Sequence, residues 1–285
     1  MAIPTPAPTP EGRNQLEALT QRFTKAVGFF IVPHRHDGST SPATGFLVQF
    51  HGKKYFVSAS HNFFNDQGGR DQVIRSWGAT RFGFRDDSLL ERVENMNEAA
   101  QRVKSERGIT LPLPPPGGLL IDDKHDLIAA RVDPSLEGLA HAEFVNLESE
   151  CFTGELPPGC SLVLTGVTLS SQVYVPGAGP TLIPQVENVQ FDPDLATSGM
   201  THDCDSPNYF FLPFSLTQDG IGPYGFSGAP IFANREPSSG ELWTASPHVV
   251  GIALRYFKKN SRRDRDLLMA VKISTVIDLL NSDKD

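Results

Sequence analysis

The chain has 285 residues, enough for one large domain or for two packed subdomains that each bury a core. Its formal net charge of -8 argues against non-specific binding to nucleic acid. No apolar run reaches the length of about 18 residues that a transmembrane helix needs. The first ten residues also lack the basic start and apolar stretch of a signal peptide. We therefore expect a cytoplasmic protein that binds neither membranes nor nucleic acid.

The amino-terminal residues predict an extended lead followed by a helix. Proline alternates with small residues over 1–10, which is typical of an extended, solvated segment. Apolar residues recur at helical spacing over 11–27, and this periodicity predicts an N-terminal helix. We expect that helix to pack on the outside of the strands that follow.

Short strand patterns dominate the next part of the chain. Residues 44–58 predict a β-hairpin that ends just before His61. Residues 86–107 interrupt the strands with a capping-box pattern and apolar residues at helical spacing, which predicts a helical insertion. The apolar run 127–132 then predicts another strand.

Residues 136–158 contain few strand patterns and are expected to link two halves of the protein. Strand patterns resume at residue 159 and recur up to residue 273. Residues 275–280 predict a short closing helix with Ser274 as its N-cap. The chain is therefore expected to be all-β, with one helix at each end and one helical insertion.

The three cysteines, Cys151, Cys160 and Cys204, suit a reducing compartment, because secreted proteins of this size usually carry several disulfides. A bridge between Cys151 and Cys160 would need an oxidising environment, so we expect free thiols.

The histidines of the first half lack cysteines or paired carboxylates at ligand spacing. We expect no metal and no cofactor.

A serine between two glycines is the main chemical feature of the sequence. Gly225-Phe226-Ser227-Gly228-Ala229-Pro230 places it in a tight bend before an apolar strand, where a hydroxyl and adjacent backbone N–H groups can face a substrate. Alone, such a string is also typical of a plain Gly-rich turn. Two earlier segments add a histidine and an aspartate: Ser-Ala-Ser-His at 58–61 and His-Asp-Leu-Ile-Ala at 125–129.

The chain order of these residues is His, Asp, Ser, whereas α/β-hydrolases and subtilisins have other orders. Together the three segments resemble the trypsin-like serine peptidases of the chymotrypsin fold, in the form of an intracellular member of bacterial type. The resemblance spans roughly residues 25–270. It implies two six-stranded antiparallel β-barrels, one over residues 28–135 and one, with the closing helix, over 159–285.

The resemblance implies a catalytic role for three side chains. Ser227 would be the nucleophile, His61 its general base and acid, and Asp126 the carboxylate that fixes the tautomer of His61. The backbone N–H groups of Gly225 and Ser227 would form the oxyanion hole. Digestive and clotting enzymes carry aspartate where Phe226 stands, and use it to bind a newly freed amino terminus. We therefore expect activity that needs no such cleavage.

Two other aspartates, Asp122 and Asp123, compete for the third role, but only Asp126 immediately precedes the apolar run. In an extended segment the neighbouring His125 would point to the opposite side.

The resemblance also implies a pocket for the residue before the scissile bond, formed by the stretch ahead of Ser227 and by the strand after it; we expect it to prefer an apolar or small side chain. Its expected lining residues are Ile221, Tyr224, Ala253, Leu254 and Arg255.

The sequence thus predicts an intracellular serine endopeptidase that acts through an acyl-enzyme with narrow or regulated specificity. Its expected partners are a protein or peptide substrate and a regulatory protein. The alternative is a catalytically silent trypsin-like pseudo-enzyme that acts as a protein-binding module. An α/β-hydrolase conflicts with the order of the three residues, and Cys204 lacks the flanking glycines expected of a nucleophile.

Overall fold

The structure is a computed structural model, and it describes residues 26–33, 40–63, 77, 80–84, 111–114, 117–136, 139, 142–166, 172–175, 179–182, 185–195, 207–214, 225–234, 247–258 and 265–283. Within these ranges the protein is mostly β, with antiparallel sheets and a C-terminal helix. The predicted lead over 1–10, nearly all of the predicted N-terminal helix and the predicted insertion over 86–107 lie outside the described residues.

The first half of the chain contributes one sheet. Its strands are β1 (Val27–Pro33), β2 (Thr40–Phe50), β3 (Lys53–Ala59), β4 (Arg81–Phe84), β5 (Leu119–Asp122), β6 (Leu127–Arg131) and β7 (Val145–Asn146). They lie in the order β4-β1-β2-β3-β6-β5, and β7 pairs with the end of β2. The predicted hairpin is confirmed, because β2 pairs with β3 through a turn at His51 and Gly52, both of which have positive φ.

The second half contributes two sheets. Its strands are β8 (Ser161–Gly166), β9 (Gln172–Val175), β10 (Gly179–Leu182), β11 (Gln185–Gln190), β12 (Tyr209–Pro213), β13 (Pro230–Asn234), β14 (Pro247–Phe257) and β15 (Leu267–Lys272). Strands β9 and β10 pair with each other, and the rest lie in the order β11-β8-β13-β14-β15-β12. The outer strands β11 and β12 also contact each other, so this sheet forms a nearly closed barrel.

The prediction of two six-stranded barrels agrees with the structure in part. The second large sheet has six strands and nearly closes, as predicted. The first sheet has seven strands among the described residues, and its pairing order ends at β4 and β5. The additional strand, β7, lies inside the segment predicted to be a linker, where it extends the sheet beside β2.

Three buried clusters hold the sheets together. One lies against the first sheet and is rich in aromatic rings, including Phe56 and Trp77. A second lies within the nearly closed barrel and includes Phe226. The third lies between the halves, where Val57 of β3 and Ile252 of β14 belong to one apolar core. Strands β3 and β14 therefore contact each other through this shared core.

The C-terminal helix, α1 (Ile273–Asn281), closes the core between the two halves. Its buried side chains Ile273, Val276, Leu279 and Leu280 recur at helical spacing. The predicted helix is present, but Ser274 as its N-cap is wrong. The helix begins two residues earlier than predicted, at Ile273. Lys272 occupies the N-cap position, and no side chain caps it. Among the described residues, no helix has the length and apolar character needed to cross a membrane.

Candidate active site

His61 and Asp126 lie together at one end of the β3–β6 ladder. Ala59, the last residue of β3, pairs with Leu127, the first residue of β6. A short 3₁₀ turn, Ser60–Asn62, follows β3 and contains His61, while Asp126 directly precedes β6. Antiparallel pairing therefore brings two residues that are 65 positions apart in the chain next to each other.

The carboxylate of Asp126 accepts three hydrogen bonds from this turn. The distance from His61 Nδ1 to Asp126 Oδ2 is 2.6 Å. Asp126 Oδ1 accepts from the backbone N–H of His61 at 2.9 Å and from the hydroxyl of Ser60 at 2.8 Å. Asp126 itself has a left-handed backbone with φ 60, and its carbonyl accepts the N–H of Ser60 at 3.0 Å. Both side chain and backbone thus fix Asp126 to the turn that carries His61.

These contacts set the charge of the pair. Burial raises the pKa of Asp126, but the hydrogen bonds from His61 and Ser60 outweigh burial and bring the pKa below its ordinary value. An ionised carboxylate is an acceptor only, so Nδ1 of His61 donates the proton in this hydrogen bond. The His61 side chain is 35% exposed, against 12% for Asp126. The imidazole is therefore oriented by a buried anion and remains partly open to solvent.

Ser227 lies in a turn whose glycines are required by geometry. Gly228 has φ 91, and a Cβ on it would overlap the carbonyl of Thr44 and the hydroxyl of Ser58. Its N–H donates to the carbonyl of Ala253 at 2.8 Å. Gly225 likewise has a positive φ of 108. The turn thus packs between β2 and β3 on one side and β14 on the other.

Three hydrogen bonds join this turn to the first half of the protein. Thr44 donates its hydroxyl to the carbonyl of Gly225 at 2.7 Å and its N–H to the carbonyl of Ser227 at 3.3 Å. The amide of Asn62 donates to the same Ser227 carbonyl at 2.9 Å. Because Asn62 directly follows His61, the structure brings the predicted serine and histidine into one neighbourhood.

The hydroxyl of Ser227 donates to the carbonyl of Leu254 at 2.9 Å. Leu254 lies where β14 shifts register against β15, between Ala253 and Arg255. None of the described residues accepts a hydrogen bond from the backbone N–H of Gly225 or Ser227. As far as the described residues show, these two N–H groups can therefore donate to another acceptor.

The predicted pocket residues are placed in part. Ala253 and Leu254 are buried beside Ser227, and Ala253 holds the turn through its carbonyl. The Arg255 side chain is 59% exposed, with Nε 3.7 Å from Asp126 Oδ2. Ile221 and Tyr224 lie outside the described residues.

The competing aspartates have other surroundings. Asp122 pairs with His125 at 2.6 Å from Oδ2 to Nδ1, and Asp123 is exposed. The ring nitrogens of His125 lie beside Asp122 and Asn208, and the extended segment expected around His125 is not present. The segment is a turn, and the left-handed Asp126 reverses the chain there.

Sequence reasoning missed three residues that shape the site: Thr44, Ser60 and Asn62. Ser60 directly precedes His61 in the motif, so its position could have indicated a role. Thr44 and Asn62 carry no such signal, because their partners lie more than 160 positions away in the chain.

Cys151 and Cys160 are free thiols, and Cys204 lies outside the described residues. Burial raises the pKa of the Cys151 thiol, which donates to the carbonyl of Leu147 at 2.8 Å. In the part of the chain that the structure describes, no three His, Cys, Asp or Glu side chains are grouped so as to hold a metal ion.

Comparisons with known proteins found matches among solved structures. No family model and no curated protein matches the sequence. Among solved structures, the chain is similar to the protease Anisep from Arthrobacter nicotinovorans, with a TM-score of 0.46 and 15% identity. The likeness covers 91% of this chain and 95% of that chain.

Proposed function

We propose that the chain is a serine endopeptidase in which Ser227, His61 and Asp126 act together on a peptide bond. The observation that carries this proposal is the 2.6 Å His61–Asp126 pair, which is held near Ser227 by the amide of Asn62. A serine hydroxyl is a weak nucleophile at neutral pH, and an oriented imidazole is the group that activates it. The pair supplies that imidazole in the required tautomer.

The reaction requires one local change, in which the hydroxyl of Ser227 leaves the Leu254 carbonyl and turns toward Nε2 of His61. The oxygen then attacks the scissile carbonyl carbon while Nε2 takes the hydroxyl proton. Asp126, kept ionised by its lowered pKa, stabilises the resulting imidazolium. The N–H groups of Gly225 and Ser227 bind the oxyanion.

Collapse of this intermediate breaks the C–N bond, and His61 gives its proton to the leaving amine. Water then hydrolyses the acyl-serine by the same steps, which returns the proton to the Ser227 oxygen. Each half-reaction moves one proton to His61 and one back from it, so the enzyme is regenerated and water is the only co-reactant consumed.

We further propose that Ala253, Leu254 and Arg255, together with Ile221 and Tyr224, bind the substrate beside the scissile bond. The apolar residue types at Ile221, Ala253 and Leu254 are the basis for a preference for an apolar or small side chain. The proposed substrate is a protein or peptide in the cytoplasm, and narrow specificity or a regulatory protein would restrain cleavage there.

A fluorophosphonate probe tests the nucleophile directly, because it reacts covalently with an activated serine. We expect labelling of the wild-type chain and none of Ser227→Ala. Ser282→Ala is a matched control. The hydroxyl of Ser282 also donates to a backbone carbonyl, that of Leu279 at 2.6 Å, but Ser282 lies at the C-terminal end of the closing helix. Labelling of Ser227→Ala, or none of the folded wild type, would contradict the proposal.

Endopeptidase activity is tested by mapping new amino termini after wild-type protein or Ser227→Ala is added to a proteome. Internal cleavages made by the wild type alone support the proposal. Labelling without any such cleavage would instead indicate a serine hydrolase of another substrate class.

One observation favours a second candidate, a silent protein-binding module: the hydroxyl of Ser227 is bonded to Leu254. Under that reading the folded chain binds peptides but reacts with no probe. The labelling experiment separates the two candidates.

A further inference from the structure

A second His–Asp pair lies directly beside the first. The distance from His125 Nδ1 to Asp122 Oδ2 is 2.6 Å, and the backbone N–H of His125 donates to Asp122 Oδ1 at 3.1 Å. The two residues close the turn that connects β5 to β6 and ends at Asp126. The His125 side chain is only 11% exposed. The residue that precedes Asp126 is thus fixed by both its side chain and its backbone.

The second half of the protein holds the same turn from the other side. Asn208 Nδ2 lies 3.0 Å from Nε2 of His125, and the Tyr209 hydroxyl donates to the carbonyl of Lys124 at 3.2 Å. The rings of His125 and Tyr209 contact edge to face. The carbonyl of Asn208 accepts the N–H of Lys272 at 2.8 Å, which anchors it to the end of β15. The β5–β6 turn of the first sheet is therefore also bound to the nearly closed barrel of the second half, at the start of β12.

Asp126 needs such support because of its backbone. With φ 60 it adopts the left-handed conformation, which is unfavourable for residues other than glycine, although Asp tolerates it better than most. That conformation turns its carboxylate toward Ser60 and His61. A conformation of this kind persists when neighbouring contacts over-determine it. His125 directly precedes Asp126 in the chain, so its contacts restrain the backbone next to Asp126.

We propose that His125 is a positioning residue: through Asp122 and Asn208 it holds the turn that presents Asp126 to His61. The proposal rests on the proposed peptidase function. His125 is not placed to transfer a proton to a substrate, because both of its ring nitrogens are engaged and its side chain is buried. It acts on the reaction only through the position of the Asp126 carboxylate.

The test uses the low-field NMR signals of imidazole protons in short hydrogen bonds to carboxylates. The wild type is expected to show two such signals, one lost in His61→Gln and the other in His125→Gln. In His125→Gln we also expect the His61 signal to shift and broaden. The kcat for a peptide substrate should fall on the order of 10- to 100-fold, with KM little changed.

Asn208→Ala provides a second variant, because it cuts the link to β12 and leaves the Asp122–His125 pair in place. We expect a smaller shift of the His61 signal and a smaller fall in kcat than in His125→Gln. If His125→Gln does not fold, Asn208→Ala tests the proposal in its place. His51→Gln is the matched control. His51 also faces a carboxylate, Glu148 at 3.3 Å, but on the exposed surface. It should leave the His61 signal and kcat unchanged.

Folded His125→Gln or Asn208→Ala with an unaltered His61 signal and unaltered kcat would overturn the proposal. The NMR measurement needs no turnover, so it separates this proposal from the peptidase function. If the wild type proves inactive, a shifted His61 signal in these variants still supports positioning by His125, and an unshifted one refutes it.

Discussion

The side-chain amide of Asn62 donates to the backbone carbonyl of Ser227 at 2.9 Å, which joins the turn of His61 to the turn of the proposed nucleophile. The same amide donates to the hydroxyl of Ser58 at 3.1 Å, and Ser58 donates to the carbonyl of Thr44 at 2.7 Å. The Ser227 turn is therefore held by a network of hydrogen bonds that begins one residue after His61.

Replacing Asn62 with Ala should slow labelling of Ser227 by about tenfold, because the two turns lose their link and their relative position loosens. The lost hydrogen bonds should also lower the free energy of unfolding by about 1 kcal/mol. Labelling rates and chemical unfolding measure the two effects. Asn146→Ala is the control, since Asn146 Oδ1 accepts the N–H of Glu148 away from the site. Equal labelling rates for the two variants would refute the link.

The Ser60→Ala variant tests how Asp126 is kept ionised. It removes a buried donor 2.8 Å from Asp126 Oδ1, which should raise the pKa of that carboxyl and cost about 1.5 kcal/mol of stability. The folded-state pKa of Asp126 is depressed. The ionised carboxylate therefore contributes to stability at higher pH, and this contribution is lost as pH falls through the folded-state pKa. Labelling should therefore decline at a higher pH in the variant than in the wild type.

Ser135→Ala is the matched control for this change, because Ser135 also hydrogen-bonds a carboxylate, that of the exposed Asp133. Its labelling curve against pH should overlay that of the wild type. A Ser60→Ala curve that also overlays it would show that Ser60 does not set the charge of Asp126.

Gly228→Ala should prevent the Ser227 turn from forming as it does here. An added methyl would overlap the Thr44 carbonyl and the Ser58 hydroxyl at a positive φ of 91. We expect a loss of about 3 kcal/mol and no labelling. Gly52→Ala is the control, since Gly52 has φ 74 with no atom within 4 Å of a Cβ. It should cost about 1 kcal/mol and keep full labelling. Similar losses in both variants would contradict the close packing of Gly228.

The three proposed catalytic side chains could be selected from the sequence because each lies beside a recognisable strand end. Asp126 precedes an apolar run and His61 follows one, and antiparallel pairing of those runs is enough to bring them together. The closing helix was predictable for a similar reason, because its apolar residues have helical spacing. Its first residue was not, because no side chain caps it.

The remaining features depend on how distant parts of the chain pack. The Asn62–Ser227 link spans 165 positions, and no local pattern encodes it. The register shift at Leu254, whose carbonyl accepts from Ser227, depends on how β14 pairs with β15. The left-handed Asp126 was missed because a polar residue before an apolar run is equally compatible with an extended start.

Asp283 binds the end of α1 to the first sheet. Its side chain, 1% exposed, accepts the hydroxyl of Tyr55 at 2.6 Å and two nitrogens of Arg131, with the shortest distance 2.6 Å. Burial raises the pKa of Asp283, but hydrogen bonds from Arg131 and Tyr55 and the nearby positive charges outweigh it and lower the pKa. Tyr55 has a raised pKa, first because of burial and then because its hydroxyl donates to Asp283.

A depressed pKa in the folded state means that Asp283 stabilises the protein above its unfolded pKa of about 4, and that this contribution is lost as pH falls through the folded value. Asp283→Asn should therefore lower the free energy of unfolding by about 3 kcal/mol at neutral pH, because the hydrogen bonds from Arg131 and Tyr55 lose their charged acceptor. It should also flatten the decline of Tm below pH 4. Thermal unfolding across pH measures both. Asp278→Asn is an exposed change on the closing helix, and its curve of Tm against pH should run parallel to that of the wild type. If Asp283→Asn also ran parallel to it, Asp283 would not be the group whose protonation weakens the fold in acid.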